Sequence, residues 1–415
     1  EASAFLRKKE EFITMLTSLA FIFLVGLSLA AICQALKLPR IIGMLLTGIL
    51  LGPYVLDVLE PSILTISSEL RQIALIIILL KAGLSLNLAD LKKVGRPAIM
   101  MSCIPATFEI LAYFLLAPYF LGITRLEAAV MGAVMGAVSP AVVVPRMVQL
   151  MEENYGTVKS IPQMILAGAS CDDIYVIVLF STFSTMAQGG SAHVKDFINI
   201  PVSIVLGIVL GSVTGYLLSL FFETAYAHSH MVRNSMKVIV VMGVSFLLMS
   251  IETWLKPVVS ISGLLAVVSM ACVLKLKCTP SVSARLSQKF GKLWLAAEVL
   301  LFVLVGASVD IRYTLKAGPA ALAMIFAALL FRTLGVTLCV AGTNLTAKEK
   351  LFCSVAYLPK ATVQAAIGSV PMAMGLSCGQ IVLSVAVLGI LITAPLGAIG
   401  MDCSYKRLLK RESCS

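Results

Sequence analysis

The chain has 415 residues, of which 59% are hydrophobic and 13% charged, with a formal net charge of +11. A water-soluble domain needs far more charge to cover its surface. Repeated apolar runs near the ~20 residues that a helical crossing requires indicate a polytopic α-helical membrane protein. A transmembrane β-barrel would show alternation instead.

Hydropathy predicts thirteen spans, near 12–36, 41–58, 68–88, 97–120, 126–151, 161–187, 197–224, 234–254, 257–274, 292–310, 314–342, 351–374 and 378–400. Backbone groups must be satisfied within hydrocarbon, so these are expected to be helices, with Pro105 and Pro118 blurring the fourth. The first is too long for a cleaved signal sequence and is expected to remain.

The positive charge follows the spans. With the N-terminus outside, the outer side carries Arg7, Lys8, Lys9, Arg71, Arg125, Lys195, Lys256, Arg312 and Lys316. The inner side takes most of the remainder, led by Lys92-Lys93, the stretch Lys275 to Lys292 and the tail Lys406 to Arg411. That asymmetry fits the positive-inside rule for an odd number of spans and a cytoplasmic C-terminus. It accounts for the basic balance without a nucleic-acid partner; membrane lipid is the expected surrounding. Most cysteines (Cys33, Cys103, Cys171, Cys272, Cys339, Cys353) fall within spans, with neither a CxxC motif nor a His/Cys ligand cluster, and read as small apolar residues. His193, His228 and His230 are expected in solvated loops.

The chain repeats itself. Gly43 corresponds to Gly263, Gly83 to Gly306, Glu109 to Arg332 and Pro140 to Pro359, at offsets of 220, 223, 223 and 219. Spans one to six therefore map onto eight to thirteen, with span seven as a linker. A separation of seven spans inverts one half relative to the other. Inverted six-helix repeats with interrupted helices are a secondary-transporter signature.

Both interruptions are legible. Span five contains Val138-Ser139-Pro140, and span twelve contains Leu358-Pro359-Lys360-Ala361-Thr362. Each proline removes a donor and frees a carbonyl one turn earlier. Unwinding at membrane depth requires a protein-lined cavity. Lys360 is expected to neutralise the converging carbonyl ends, while Ser139 and Thr362 coordinate or cap.

Intramembrane charge marks the site. Asp172 and Asp173 sit in the apolar run 161–187, where a carboxylate near the bilayer centre costs about 2.5–3.5 kcal/mol even on the gentler scale. Neighbours on a helix point about 100° apart, so one can face an ion and the other a partner. Hard carboxylate oxygens suit small alkali cations. Because two adjacent carboxylates do not both ionise cheaply, a proton and a cation would compete for the same oxygens. Arg332 needs a carboxylate partner. Glu109, its repeat equivalent, is the first candidate, and Asp172 the second. Glu298 is expected near the inner interface, and Lys81 is placed to snorkel.

The segments Ser139-Pro140-Ala141-Val142-Val143-Val144-Pro145, Cys171-Asp172-Asp173-Ile174 and Leu358-Pro359-Lys360-Ala361-Thr362-Val363-Gln364-Ala365-Ala366-Ile367-Gly368 resemble the NHA-type sodium/proton antiporters of the cation:proton antiporter superfamily. The resemblance covers essentially the whole chain. It implies a homodimer whose dimerisation domain comprises residues 1–95 and 231–312. It also implies a moving core of residues 96–190 and 313–415, a linker helix in 191–230, and elevator-like alternating access without a cofactor. In that family the second aspartate, here Asp173, is the essential ion and proton carrier. Asp172 is an aspartate in most electrogenic members and often asparagine in electroneutral ones. Arg332 stands where electrogenic bacterial members place a lysine, which favours electroneutral exchange. Animal members carry an additional N-terminal helix, and its absence from this sequence leads to the expectation of a bacterial protein.

The expected activity is Na⁺ or Li⁺ exchange for H⁺ in the inner membrane. A K⁺/H⁺ exchanger of the same superfamily is the first alternative; a K⁺ efflux system would carry a nucleotide-binding domain after Ser415. An organic-anion symporter of related architecture fits the aspartate pair less well. An intramembrane aspartyl protease needs facing aspartates on different helices, whereas Asp172 and Asp173 are neighbours, so no enzyme is expected.

Overall fold

The computed structural model describes residues 14–85, 95–188, 194–229, 234–255, 259 and 261–411. The chain is helical, and among the described residues the sole β-type pairing is one isolated bridge, Tyr155 to Arg411. In chain order the helices are α1 (Met15–Ala35), α2 (Arg40–Leu51), α3 (Pro61–Thr65), α4 (Ser67–Ser85), α5 (Arg96–Met101), α6 (Ile104–Leu121), α7 (Arg125–Met135), α8 (Pro140–Glu152) and α9 (Ile161–Gln188). They continue with α10 (Val194–Ser229), α11 (Asn234–Leu255), α12 (Gly263–Lys277), α13 (Pro280–Ala307), α14 (Ile311–Cys339), α15 (Ala347–Ala356), α16 (Thr362–Ile367), α17 (Val370–Ala373) and α18 (Gly379–Leu408).

Eight of the described helices are long and apolar enough to cross a membrane. The other expected spans fall short for identifiable reasons. The second expected span, 41–58, ends as a helix at Leu51, where Gly52-Pro53 stops it. Helix α4 carries Glu69, Arg71 and Lys81, and α12 has 15 residues. The expected spans 126–151 and 351–374 are each interrupted, into α7/α8 and into α15, α16 and α17. The fourth also breaks, at Ser102-Cys103 just before Pro105, whereas Pro118 stays inside α6. The tenth starts early, because Pro280 opens a 28-residue helix that takes in part of the basic stretch.

His228 corrects a loop expectation. It lies in the 36-residue α10, where no proline after Pro201 ends the helix. His193, His230, Lys92, Lys93, Lys256 and the first basic residues lie outside the described residues.

The helices pack in two groups. In one, α4 and α2 lie against α13, α1 against α2, and α10 and α4 against α12. In the other, α6 lies against both α14 and α7, α9 against α7 and α8, and α15 and α14 against α18. Within the first group α2 and α13 approach so closely that a Cβ on Gly48 would stand 1.9 Å from the Val303 carbonyl oxygen, and one on Gly306 2.3 Å from that of Leu45. Small residues permit this backbone contact, which drives helix association where lipid is as apolar as the side chains. Lys81 of α4 lies 5.8 Å over the Trp294 ring of α13.

Within the second group, the first half of each broken helix starts alike. Thr124 and Glu127 form a capping box at the start of α7, and Thr346 and Glu349 do the same for α15. Each box satisfies two otherwise orphaned amides. The two glutamates reach out further. Glu127 accepts a hydrogen bond from Ser377, in the turn before α18, and Glu349 is 2.7 Å from Lys159, in the loop before α9.

Candidate functional site

Two interrupted helices meet at the centre of the second group. Helix α7 stops at Met135, residues 136–139 are unwound, and α8 resumes at Pro140, whose missing N–H costs nothing in a first turn. Helix α15 stops at Ala356, and α16 resumes at Thr362. The unwound segments touch, with Ser139 N donating to the Pro359 carbonyl at 2.8 Å. Gln364 holds both sides. Its Oε1 accepts from Ala361 N at 2.8 Å, and its Nε2 donates to the Ala137 carbonyl at 2.9 Å. Thr393 of α18 accepts from Lys360 N at 2.9 Å.

Arg332, fully buried on α14, is the hub. Its Nη1 is 2.6 Å from Glu109 Oε2 on α6, and its Nη2 is 3.1 Å from Asp172 Oδ2 on α9. The two carboxylates considered for it are therefore partners together. Its Nε donates to the Tyr357 carbonyl at 2.6 Å, and its Nη1 also donates to the Gly136 carbonyl. Gly136 is four residues before Pro140, so this is the carbonyl the proline releases. Both carbonyls end half-helices, where the partial charge is negative.

Lys360 was expected in that role, and the structure corrects it. The Lys360 backbone is part of the unwound segment, but its Nζ turns to Glu109 Oε2 at 2.5 Å. Arg332 covers the carbonyl ends because its planar fork reaches three directions at once, which an ammonium on a flexible stem does not. One Glu109 oxygen thus serves two cations, all in a site closed to solvent.

The adjacent aspartates are treated differently. Asp172 Oδ2 accepts from Val138 N at 2.8 Å as well as from Arg332. Among the described residues Asp173 makes no ion pair, and its Oδ1 is buried without a hydrogen-bond partner. Asp172 Oδ1, Ser139 Oγ and Thr362 Oγ1 are likewise buried and unpartnered. Ser139 and Thr362 therefore do not cap α8 or α16 with their side chains. Burying such oxygens without a partner costs about 1–3 kcal/mol each. Hard oxygens in this condition suit an alkali cation. Among the described residues no group of three or more His, Cys, Asp and Glu has the arrangement of a metal cluster.

Sequence reasoning missed Gln364, Thr393 and the buried, unpartnered hydroxyls of Tyr113 and Tyr357. Gly168 on α9 was a usable signal, since a Cβ there would lie 2.1 Å from the Tyr357 hydroxyl. Glu298 lies apart from the crossing. It lines a cavity of about 430 Å³ with Gln34, Lys37, Arg40, Arg146 and Asp402.

Residues 19–401 match the family described as "Sodium/hydrogen exchanger, transmembrane". Sodium/hydrogen exchanger 9B2 of Homo sapiens is 36% identical over 390 residues, covering 90% of this chain and 70% of that protein. Sodium/hydrogen exchanger 9B1 of Homo sapiens is 32% identical over 396 residues, covering 90% and 73%. The structure of the sodium proton antiporter MjNhaP1 from Methanocaldococcus jannaschii at pH 8 superposes with a TM-score of 0.80 at 22% identity, over 95% of this chain and 98% of that one. This last likeness speaks for the fold.

Proposed function

Because the chain belongs to the sodium/hydrogen exchanger family, within the cation:proton antiporter superfamily, we propose that it is a multi-pass sodium/proton antiporter working through Asp173 by one-for-one exchange. One observation carries the stoichiometry. Arg332 and Lys360 contribute two positive charges, and Glu109 and Asp172 two negative ones, within one connected buried network. Four groups in their ordinary charge states sum to zero. Asp173 adds one negative charge with no ion-pair partner among the described residues and with Oδ1 unpartnered, so the site is neutral with either one proton or one Na⁺ on Asp173. Competition for one carboxylate, with access alternating between the two sides, yields electroneutral exchange.

The unpartnered oxygens of Asp172, Ser139 and Thr362 are the expected further ligands. Alternating access by movement of the α5–α9 and α14–α18 group against the other is supported by the division in packing. Thirteen crossings with inverted repeats are supported by the paired capping boxes at Thr124 and Thr346, an offset of 222. They are also supported by the meeting of residues 153–160, 343–349 and the tail, which that topology puts on one side. We assign the same topology an outer N-terminus and a cytoplasmic C-terminus, and the protein a homodimeric state.

Purified protein in liposomes under an imposed pH gradient tests this reading, with the membrane potential clamped and then released. Equal Na⁺-driven proton flux in both conditions is expected. Flux that rises with potential would overturn electroneutrality. A response to K⁺ but not to Na⁺ or Li⁺ would overturn the choice of ion.

A further inference from the structure

A cavity of about 350 Å³ lies between the two helix groups, away from the charged crossing. Helices α4, α11 and α12 supply one wall through Arg71, Leu75, Met249 and Leu264; α9, α16 and α17 supply the other through Phe180, Ile367 and Val370. The lining is mostly apolar, with one buried cation. Arg71 is 5% exposed, donates from Nη1 to Ser308 Oγ at 2.7 Å, and leaves Nε buried without a partner. It makes no ion pair among the described residues. The cavity's carboxylate, Glu252, is engaged elsewhere, accepting from Gly263 N at 3.1 Å at the start of α12.

A guanidinium withdrawn from water without an ion-pair partner is a costly arrangement unless an anion completes it, and neither Glu69 nor Glu252, the carboxylates nearby, forms an ion pair with Arg71. Its planar fork matches carboxylate and phosphate oxygens. The volume sits at the low end for small-molecule sites, about 300–1,000 Å³, and is too small for a two-chain lipid. A bare inorganic anion would leave the apolar walls uncovered.

We propose that this cavity binds a single-chain amphiphile, its carboxylate or phosphate head on Arg71 and its hydrocarbon along Leu75, Phe180, Met249 and Leu264. A bound molecule touches both helix groups and holds them in the present arrangement, so it slows exchange. This consequence rests on the antiport reading given above, whereas the binding does not.

The test uses the full chain in zwitterionic nanodiscs, following its thermal midpoint with octanoate, octyl phosphate, octanol and octylamine. Octanoate, octyl phosphate or both are expected to raise the midpoint in a saturable way, and the arm that responds identifies the head group. Octanol and octylamine are expected to leave it unchanged. Arg71→Gln is expected to weaken binding at least about tenfold, the effect of losing a hydrogen bond to a charged group. Ala373→Trp, on the exposed rim of the same cavity, is expected to block binding with Arg71 intact. Equal stabilisation by octanol, or undiminished binding in both variants, would overturn the site. Binding that leaves Na⁺-driven proton flux unchanged would overturn the bridging role while leaving the antiporter assignment standing.

Discussion

The two faces of α9 at its midpoint carry the same chemical group under opposite conditions. On one, Asp172 is tied to Arg332 and to the Val138 amide at the resumption of α8. On the other, Asp173 is next in sequence, yet its buried Oδ1 has no partner. A carboxylate fixed by a cation and a helix start is a structural charge. One with no fixed partner is available to a proton or a cation. Adjacency on a helix, with its roughly 100° turn, separates the two roles.

The sharpest way to break this contrast is Asp173→Asn. Flux is expected to fall by about 100-fold or more, the scale of losing a group essential to the reaction cycle. The thermal midpoint should barely move, because no ion pair is lost. A large loss of stability in this variant would assign Asp173 a structural task and collapse the distinction.

Next comes Glu109→Ala, which strips one carboxylate from both Arg332 and Lys360. Removing one partner of a buried ion pair costs about 3–5 kcal/mol. Loss of folded protein, or a strongly lowered midpoint in nanodiscs, is the expected outcome. Glu109→Gln should recover part of it by preserving shape and one acceptor.

Asp172→Asn should have a smaller effect. The amide oxygen can still accept from Val138 N, and Arg332 keeps Glu109 and its two carbonyls. A loss of about 1.5–3 kcal/mol with measurable exchange is expected, the range for a hydrogen bond to a charged group. Abolished exchange at wild-type stability would move the carrier role to Asp172.

The smallest effect concerns the paired capping boxes. Burial raises the Glu349 carboxyl, but the Lys159 ammonium and the Thr346 amide outweigh it and hold the group below the usual glutamate range. A depressed folded value means that its stabilisation is complete above the unfolded value, about 4.3, and fades as pH falls through the folded one. Lys159 is partly exposed, so the contribution is less than about 1 kcal/mol. A thermal-midpoint profile of Lys159→Ala against wild type should show a small gap near neutral pH that closes in acid.

Much of this was legible in the sequence because intramembrane charge and proline are costly unless used. Asp172, Asp173, Glu109 and Arg332 stood out by that cost, and the offset of 223 brought the last two together. Pro140 and Pro359 located both breaks. Other features depended on three-dimensional direction. Lys360 is in an unwound segment, where no helical period says which way a side chain points; Ala361 beside it has φ −163° and ψ −78°. Arg332 satisfying two half-helix carbonyls, and Gln364 spanning both breaks, follow from how the breaks cross. Helix ends such as Leu51 and His228 were misjudged because hydropathy reports apolarity and not backbone geometry.

The most direct measurement is calorimetric titration of Na⁺ into wild type, Asp172→Asn and Asp173→Asn across a range of pH. Proton competition on a single carboxylate should weaken Na⁺ binding about tenfold per pH unit in acid for wild type and Asp172→Asn, and binding should vanish in Asp173→Asn. Retention by Asp173→Asn of Na⁺ binding with the same pH dependence would contradict the assignment of Asp173 as the shared site for cation and proton.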